Sequence, residues 1–217
     1  DAEPIKLRKT PELVRAFKET YDRLKKSGYT ARLLRLDNEI SKKLIEAIES
    51  EEELTYQLVS PGDHRQNPAE RAIQSFKNHF IAILSGTDPN FPKDCWDLLL
   101  PQAVITLNIA CPSRINPRVS AYNAIHGIFD FGKTPMAPAG CKIIVHNRTN
   151  ERGAWEEHGA HGFYIGPAMN HYRNYEVYVP TTRGERTSNT IEFFPKMCPN
   201  PHVEPAERIL FILDDLL

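Results

Sequence analysis

Hydrophobic periodicity changes character once along this chain, near Gly140, and that change limits the folds open to it. Before it, apolar residues alternate between helical and strand spacing. Leu13, Val14, Phe17, Tyr21 and Leu24 share one helical face, with Thr10 placed to cap the helix, Pro11 at its first position and Gly28 to stop it. Thr30–Leu36 reads as a mostly buried strand. Ile40, Leu44, Ile45 and Ile48 make a second amphipathic helix, and Leu54–Val59 a second buried strand. After the loop Ser60–Asn67, Asn67 can cap a third helix that begins at Pro68, with Ala69, Ile73, Phe76, Phe80 and Leu84 as its inward stripe. Such alternation predicts an α/β layer architecture. From Phe91 to Gly127 the pattern is helical, with Trp96, Leu100, Ala103, Leu107 and Ala110 on one face and Pro101 kinking or restarting the helix. Ser120–His126 reads as a short helix. Beyond Gly140 come short strands near Cys141–His146, Gly162–Gly166, Tyr175–Val179 and Thr190–Phe194, spaced like a small β-barrel. The Pro-rich 196–205 stretch reads as a linker, and Arg208–Leu217 as an amphipathic helix.

The expected organisation is therefore an α/β core over 1–90, a helical extension over 91–139, a β-barrel over 140–196, and a linker and tail over 197–217. No apolar run approaches the roughly 18 residues that cross a bilayer, and no membrane partner is expected. The chain opens on Asp1 without a signal-peptide pattern and reads as a piece of a longer polyprotein. Four cysteines, at 95, 111, 141 and 198, stand too far apart for a local zinc knuckle or redox pair. Reduced thiols and an intracellular setting are the reading. Net charge is −1, and the acidic excess sits in residues 197–217, which carry four acids and one base. Nucleic-acid contact would thus require a local patch rather than a global field.

Two acids suit a divalent-metal site. Asp37, in Leu36-Asp37-Asn38-Glu39, follows a strand, where α/β folds place ligands. It could equally cap a helix or close an Asx-turn. Glu70, in Asn67-Pro68-Ala69-Glu70-Arg71, has capping-box spacing from Asn67, so its carboxylate could bond back to that backbone N–H. Glu70, Gln74 and Lys77 follow an i, i+4, i+7 ladder that could hold a metal and track a phosphate backbone. The same ladder is what any solvated helix face shows. His64 and Arg65 are surface polars or DNA contacts beside the metal.

These motifs, in this order, resemble the integrase core of copia-like long-terminal-repeat retrotransposons. Leu36–Glu39 is similar to the second Asp motif of an Asp–Asp–Glu triad, and Asn67–Arg71 to the motif that holds its Glu. The residues 38–69 between them make a gap slightly shorter than the family's usual one. The likeness continues through Cys95-Trp96 to Asn108, Ser120-Ala121-Tyr122, Gly127 and Lys133-Thr134-Pro135, similar to the helices after such a core. His161-Gly162-Phe163-Tyr164-Ile165-Gly166, Tyr172-Arg173, Tyr175 and Val177-Tyr178 resemble the SH3-like barrel that follows. The resemblance implies an RNase H-like core, Mg²⁺ (or Mn²⁺) at Asp37 and Glu70, and metal-dependent DNA cleavage and strand transfer. It further implies contacts from His64, Arg65, Arg71, Gln74 and Lys77 to retroelement-end and target DNA, a homo-oligomer, and action in the nucleus. The first Asp of the triad has no counterpart, because Asp1 and Glu3 align with a later, edge strand. The core is therefore expected to be incomplete and inactive alone, with Glu3–Arg8 poorly ordered or paired directly with Thr30–Leu36. The alternative is a non-catalytic nucleic-acid-binding or protein-interaction module derived from an integrase.

Overall fold

A computed structural model describes residues 2–36, 40–51, 53–58, 68–147, 153 and 155–194. The 196–205 linker and the Arg208–Leu217 helix expected from sequence lie outside the described residues. The protein is a mixed α/β chain of two compact units. One comprises Asp1–His79 with Val104–Phe129, the other Phe80–Ala103 with Asp130–Leu217.

In the first unit, helix α1 (Thr10–Lys26) carries Glu12 in its first turn and Arg23, Lys25 and Lys26 in its last, which complements the helix dipole. Its N-cap is Lys9, which makes no side-chain capping bond, so Thr10 is the first helical residue rather than the cap. At the other end Gly28 takes φ +81°; its N–H donates to the Lys25 carbonyl and the Tyr29 N–H to the Leu24 carbonyl. That pair of bonds is a Schellman closure, which favours glycine at this left-handed position.

Strand β1 (Leu33–Leu36) and strand β2 (Thr55–Leu58) are joined through helix α2 (Lys42–Glu49) and pair in parallel, with Leu33 opposite Thr55 and Leu36 opposite Leu58. Tyr21, Ile48 and Leu54 form the buried core beneath them, flanked by Phe17, Leu34, Leu36, Leu44 and Tyr56. The strands are less buried than sequence predicts. Leu34, Leu36 and Tyr56 face the core, while Leu33 is 51% and Leu58 45% exposed. The Glu3–Arg8 segment is no strand and neither pairs with β1 nor extends the sheet among the described residues. Instead the Glu3 carboxylate accepts from Arg23 at 2.6 Å and Arg15 at 3.4 Å, and Arg15 also donates to the Pro4 carbonyl at 2.8 Å. Charge pairing with α1 thus replaces ladder pairing.

Helix α3 (Pro68–Ser85) and helix α4 (Leu100–Ala110) contribute residues to both units. The inward stripe expected on α3 is only partly inward. Phe76 and Phe80 are half-buried, but Ala69 and Ile73 are exposed. Before α4, Lys93–Leu99 winds as a 3₁₀ turn and Pro101 is the second residue of the new helix, so the chain restarts there. Trp96 therefore belongs to the turn and is exposed, whereas Leu100 and Ala103 are buried. In helix α5 (Ala121–His126) the Ser120 hydroxyl caps by accepting from the Asn123 N–H.

The second unit is built on a five-stranded antiparallel sheet in the order β6-β5-β4-β3-β7. Its strands are β3 (Lys142–His146), β4 (Gly159–Pro167), β5 (Tyr175–Val179), β6 (Gly184–Ser188) and β7 (Ile191–Phe193). Ile143, Val145, Tyr164, Val177 and Val179 pack on one face, and Phe163 and Ile165 pack with Phe91, Leu99 and Ala139 on the other. Buried from Gly162 to Pro167 and covered there on both faces, β4 reads as an apolar run after His161. Strand β6 was not predicted: its sequence, Gly-Glu-Arg-Thr-Ser, has no apolar alternation because it is an edge strand that buries little.

Candidate metal and nucleic-acid site

The residues expected at the site fall, in chain order, just after β1, between β2 and α3, and in the first three turns of α3. Leu36 is the last residue of β1, so Asp37 follows it directly in the chain. Asp37, His64, Arg65 and Asn67 lie outside the described residues. Glu70 stands in the first turn of α3, exposed, where the helix dipole favours a carboxylate. Gln74 and Lys77 are also exposed, and helical spacing puts both on the Glu70 face.

Arg71 is turned away from that ladder. One residue advances the helix by about 100°, and Arg71 lines a cavity with Ala72 and Ser75 of α3 and residues of α4, α5 and the loop joining them. On the same side of α3, the His79 Nε2 meets the Thr106 Oγ1 of α4 at 2.9 Å.

Among the described residues no group of three or more His, Cys, Asp or Glu side chains stands together as a metal cage. Glu70 offers the hard oxygen that Mg²⁺ takes, and a centre there needs a second carboxylate. Nor is any helix among the described residues long and apolar enough to cross a membrane.

No protein-family model matches the chain, and no curated protein matches it. Among solved structures, a chain from the cryo-EM structure of the simian T-cell lymphotropic virus intasome in complex with PP2A regulatory subunit B56 gamma is similar. The match covers 92% of this chain and 71% of that one, at 14% identity and a TM-score of 0.42. Similarity at that level assigns the chain neither a fold family nor an activity.

Proposed function

We propose that the chain is an integrase-type DNA-processing protein. Its first 90 residues would form part of an RNase H-like core, 91–139 a helical extension, and 140–196 an SH3-like barrel. The observation that carries this reading is the register of the parallel pair. Leu36 lies opposite Leu58, so both strands end at one edge of the sheet. Asp37 is the next residue after one strand, and the chain leaving the other leads to α3 and Glu70. The carboxyl edge of a parallel sheet is where such folds carry their chemistry. The order of sequence motifs from Leu36 to Tyr178 and the antiparallel sheet of the second unit also support it.

On this reading Asp37 and Glu70 would hold Mg²⁺ or Mn²⁺. The ion, when bound, activates an attacking water or hydroxyl and neutralises charge on the leaving oxygen. Gln74 supplies an amide and Lys77 a cation, one and two turns along from Glu70, to follow a phosphate backbone without reading sequence. His64 and Arg65, which precede α3 in the sequence, would contact the same DNA. On this reading the chain should bind DNA ends. Its setting would be the nucleus.

The test joins two measurements. DNA binding by fluorescence anisotropy should weaken with salt, and Lys77→Ala should reduce the logarithmic salt slope by about one. Manganese binding, followed by electron paramagnetic resonance, should be lost in Asp37→Asn and in Glu70→Gln. Full manganese binding by both variants would remove the metal site. DNA binding without any metal uptake by the wild type would leave the non-catalytic binding module instead.

A further inference from the structure

The cavity lined by Arg71 is a groove of about 1100 Å³ within the first unit. That lies at the upper end of the roughly 300–1,000 Å³ of ligand clefts, room enough for a peptide segment. Its lining includes the small side chains of Ala69 and Ala72 from α3 and Ala121 and Ala124 from α5, with Leu107 and Ile125, beside the polar Ser75, Asn108, Ser113 and Asn116. The part of the lining from Cys111 to Ala124 is held by hydrogen bonds. The Ala121 N–H donates to the Cys111 carbonyl at 2.8 Å, the Ser113 N–H to the Val119 carbonyl at 2.9 Å, and the Tyr29 hydroxyl to the Ala124 carbonyl at 3.0 Å. Among the described residues of the lining, Arg71 and Arg114 are the charged ones and none is an acid. Ile115, at the loop tip, is 91% exposed, and Ile125 is 43% exposed. Large apolar side chains bared together around a groove mark a surface that something covers.

The chain contains a segment of matching chemistry. Glu204–Leu217 carries Glu204, Glu207, Asp214 and Asp215 against the single base Arg208, and between them runs Ile209-Leu210-Phe211-Ile212-Leu213. It concentrates the chain's acidic excess beside an unbroken apolar run. A phosphate backbone fits the groove poorly, because most of the lining surface is apolar and two cations track it weakly. An acidic, apolar peptide satisfies the apolar lining and the two arginines at once. We propose that the groove docks the Glu204–Leu217 segment of a second copy of this chain. Arg71 and Arg114 pair with its carboxylates, and its aliphatic side chains lie over Ala69, Ala72 and Ile125. Every copy carries both halves of this contact, so a reciprocal exchange closes a symmetric pair. The proposal does not depend on the metal site.

Sedimentation velocity of the full chain across a concentration series tests it. Wild type should self-associate, and both Arg71→Glu/Arg114→Glu and Leu210→Asp/Leu213→Asp should weaken association by about tenfold or more. An equimolar mixture of the two variants should regain association, since one retains the tail and the other the groove. A synthetic 204–217 peptide should compete. Alkylation of Cys111, which lines the groove, should be slow in the associated wild type and fast in the Leu210→Asp/Leu213→Asp variant, whose groove is untouched. Undiminished association of both variants overturns the proposal, as does a monomeric wild type that does not bind the peptide. Loss of DNA binding in the arginine variant with self-association intact also overturns it, and makes the groove a phosphate site.

Discussion

Replacing Gly140 with alanine tests the close approach that joins β3 to the loop after α3. Gly140 has φ +73°, its N–H donates to the Tyr164 carbonyl at 2.7 Å, and its carbonyl accepts from the Asp88 N–H at 3.1 Å. A Cβ built there would lie 2.7 Å from the Thr87 Cβ and closer still to the Thr87 Cγ2. Two costs add. Placing an L side chain in the left-handed region costs roughly 1–2 kcal/mol, and forcing a methyl into filled space roughly 1–3 kcal/mol. Gly140→Ala should therefore destabilise by about 2–5 kcal/mol. Gly28 is the internal control: its φ is +81°, yet a Cβ there meets nothing within 4 Å. Gly28→Ala should cost only the conformational part, roughly 1–2 kcal/mol.

Urea denaturation separates the two. Trp96, which packs edge-on against Phe80 with ring centroids 6.0 Å apart, reports on the unit that holds Gly140, while the fully exposed Trp155 contributes little change. Far-UV circular dichroism follows the helical unit that holds Gly28. A double-mutant cycle isolates the clash. Thr87→Ser removes the Cγ2 and keeps the hydroxyl that donates to the Leu84 carbonyl at 2.9 Å. In the Gly140→Ala background it should restore about 1 kcal/mol or more, a coupling expected of side chains in contact. Equal costs at Gly28 and Gly140, or strict additivity of Gly140→Ala with Thr87→Ser, would refute the steric account.

Partial burial raises the Glu3 carboxyl, but hydrogen bonds and charge from Arg23, with Arg15, outweigh it and hold the group below its ordinary value. A lowered folded pKa means the contribution to stability is present above the unfolded pKa and is lost as pH falls through the folded one. Glu3→Gln should thus be less stable than wild type at pH 7 in urea melts, and the gap should close as the medium is acidified. A gap that widens in acid contradicts the pairing. For the apolar surface, Ile48→Ala should cost about 2–5 kcal/mol because Ile48 is fully buried. Ile73→Ala should stay within about 0.5 kcal/mol, since Ile73 is 65% exposed. An equal loss at both positions would mean that the Ile73 side of α3 is covered.

What could be read from sequence depended on whether a residue's role is set by its neighbours in the chain or in space. The limits of α1 were legible because Pro11 and Gly28 act locally, through a fixed φ and a left-handed closure. The restart at Pro101 was legible for the same reason. Thr10 was misread as the cap because cap preference ranks residues without fixing which one leaves the helix first. The α3 stripe shows a different failure. Periodicity says which face is apolar, not whether anything lies against it, and Ile73 proves exposed. In β1, Leu-Leu-Arg-Leu looked like a buried run, yet only Leu34 and Leu36 meet the core beneath. Strand β6 could not be found from alternation, since pairing with β5 rather than burial makes it a strand.

The candidate site follows the same division. Helical spacing alone groups Glu70 with Gln74 and Lys77 and turns Arg71 toward the groove, so that part was available in the sequence. Whether Asp37 approaches Glu70 is a different kind of question, because thirty-two residues separate them and no spacing rule spans the helix and strand between. The parallel register narrows the problem by ending β1 and β2 at the same edge. It converts a question about two distant acids into one about the loop from β2 to α3. That is why paired loss of manganese in Asp37→Asn and Glu70→Gln carries more weight than any motif. A helix-capping Glu70 predicts loss of helix stability with metal binding unchanged, and a ligand predicts the reverse.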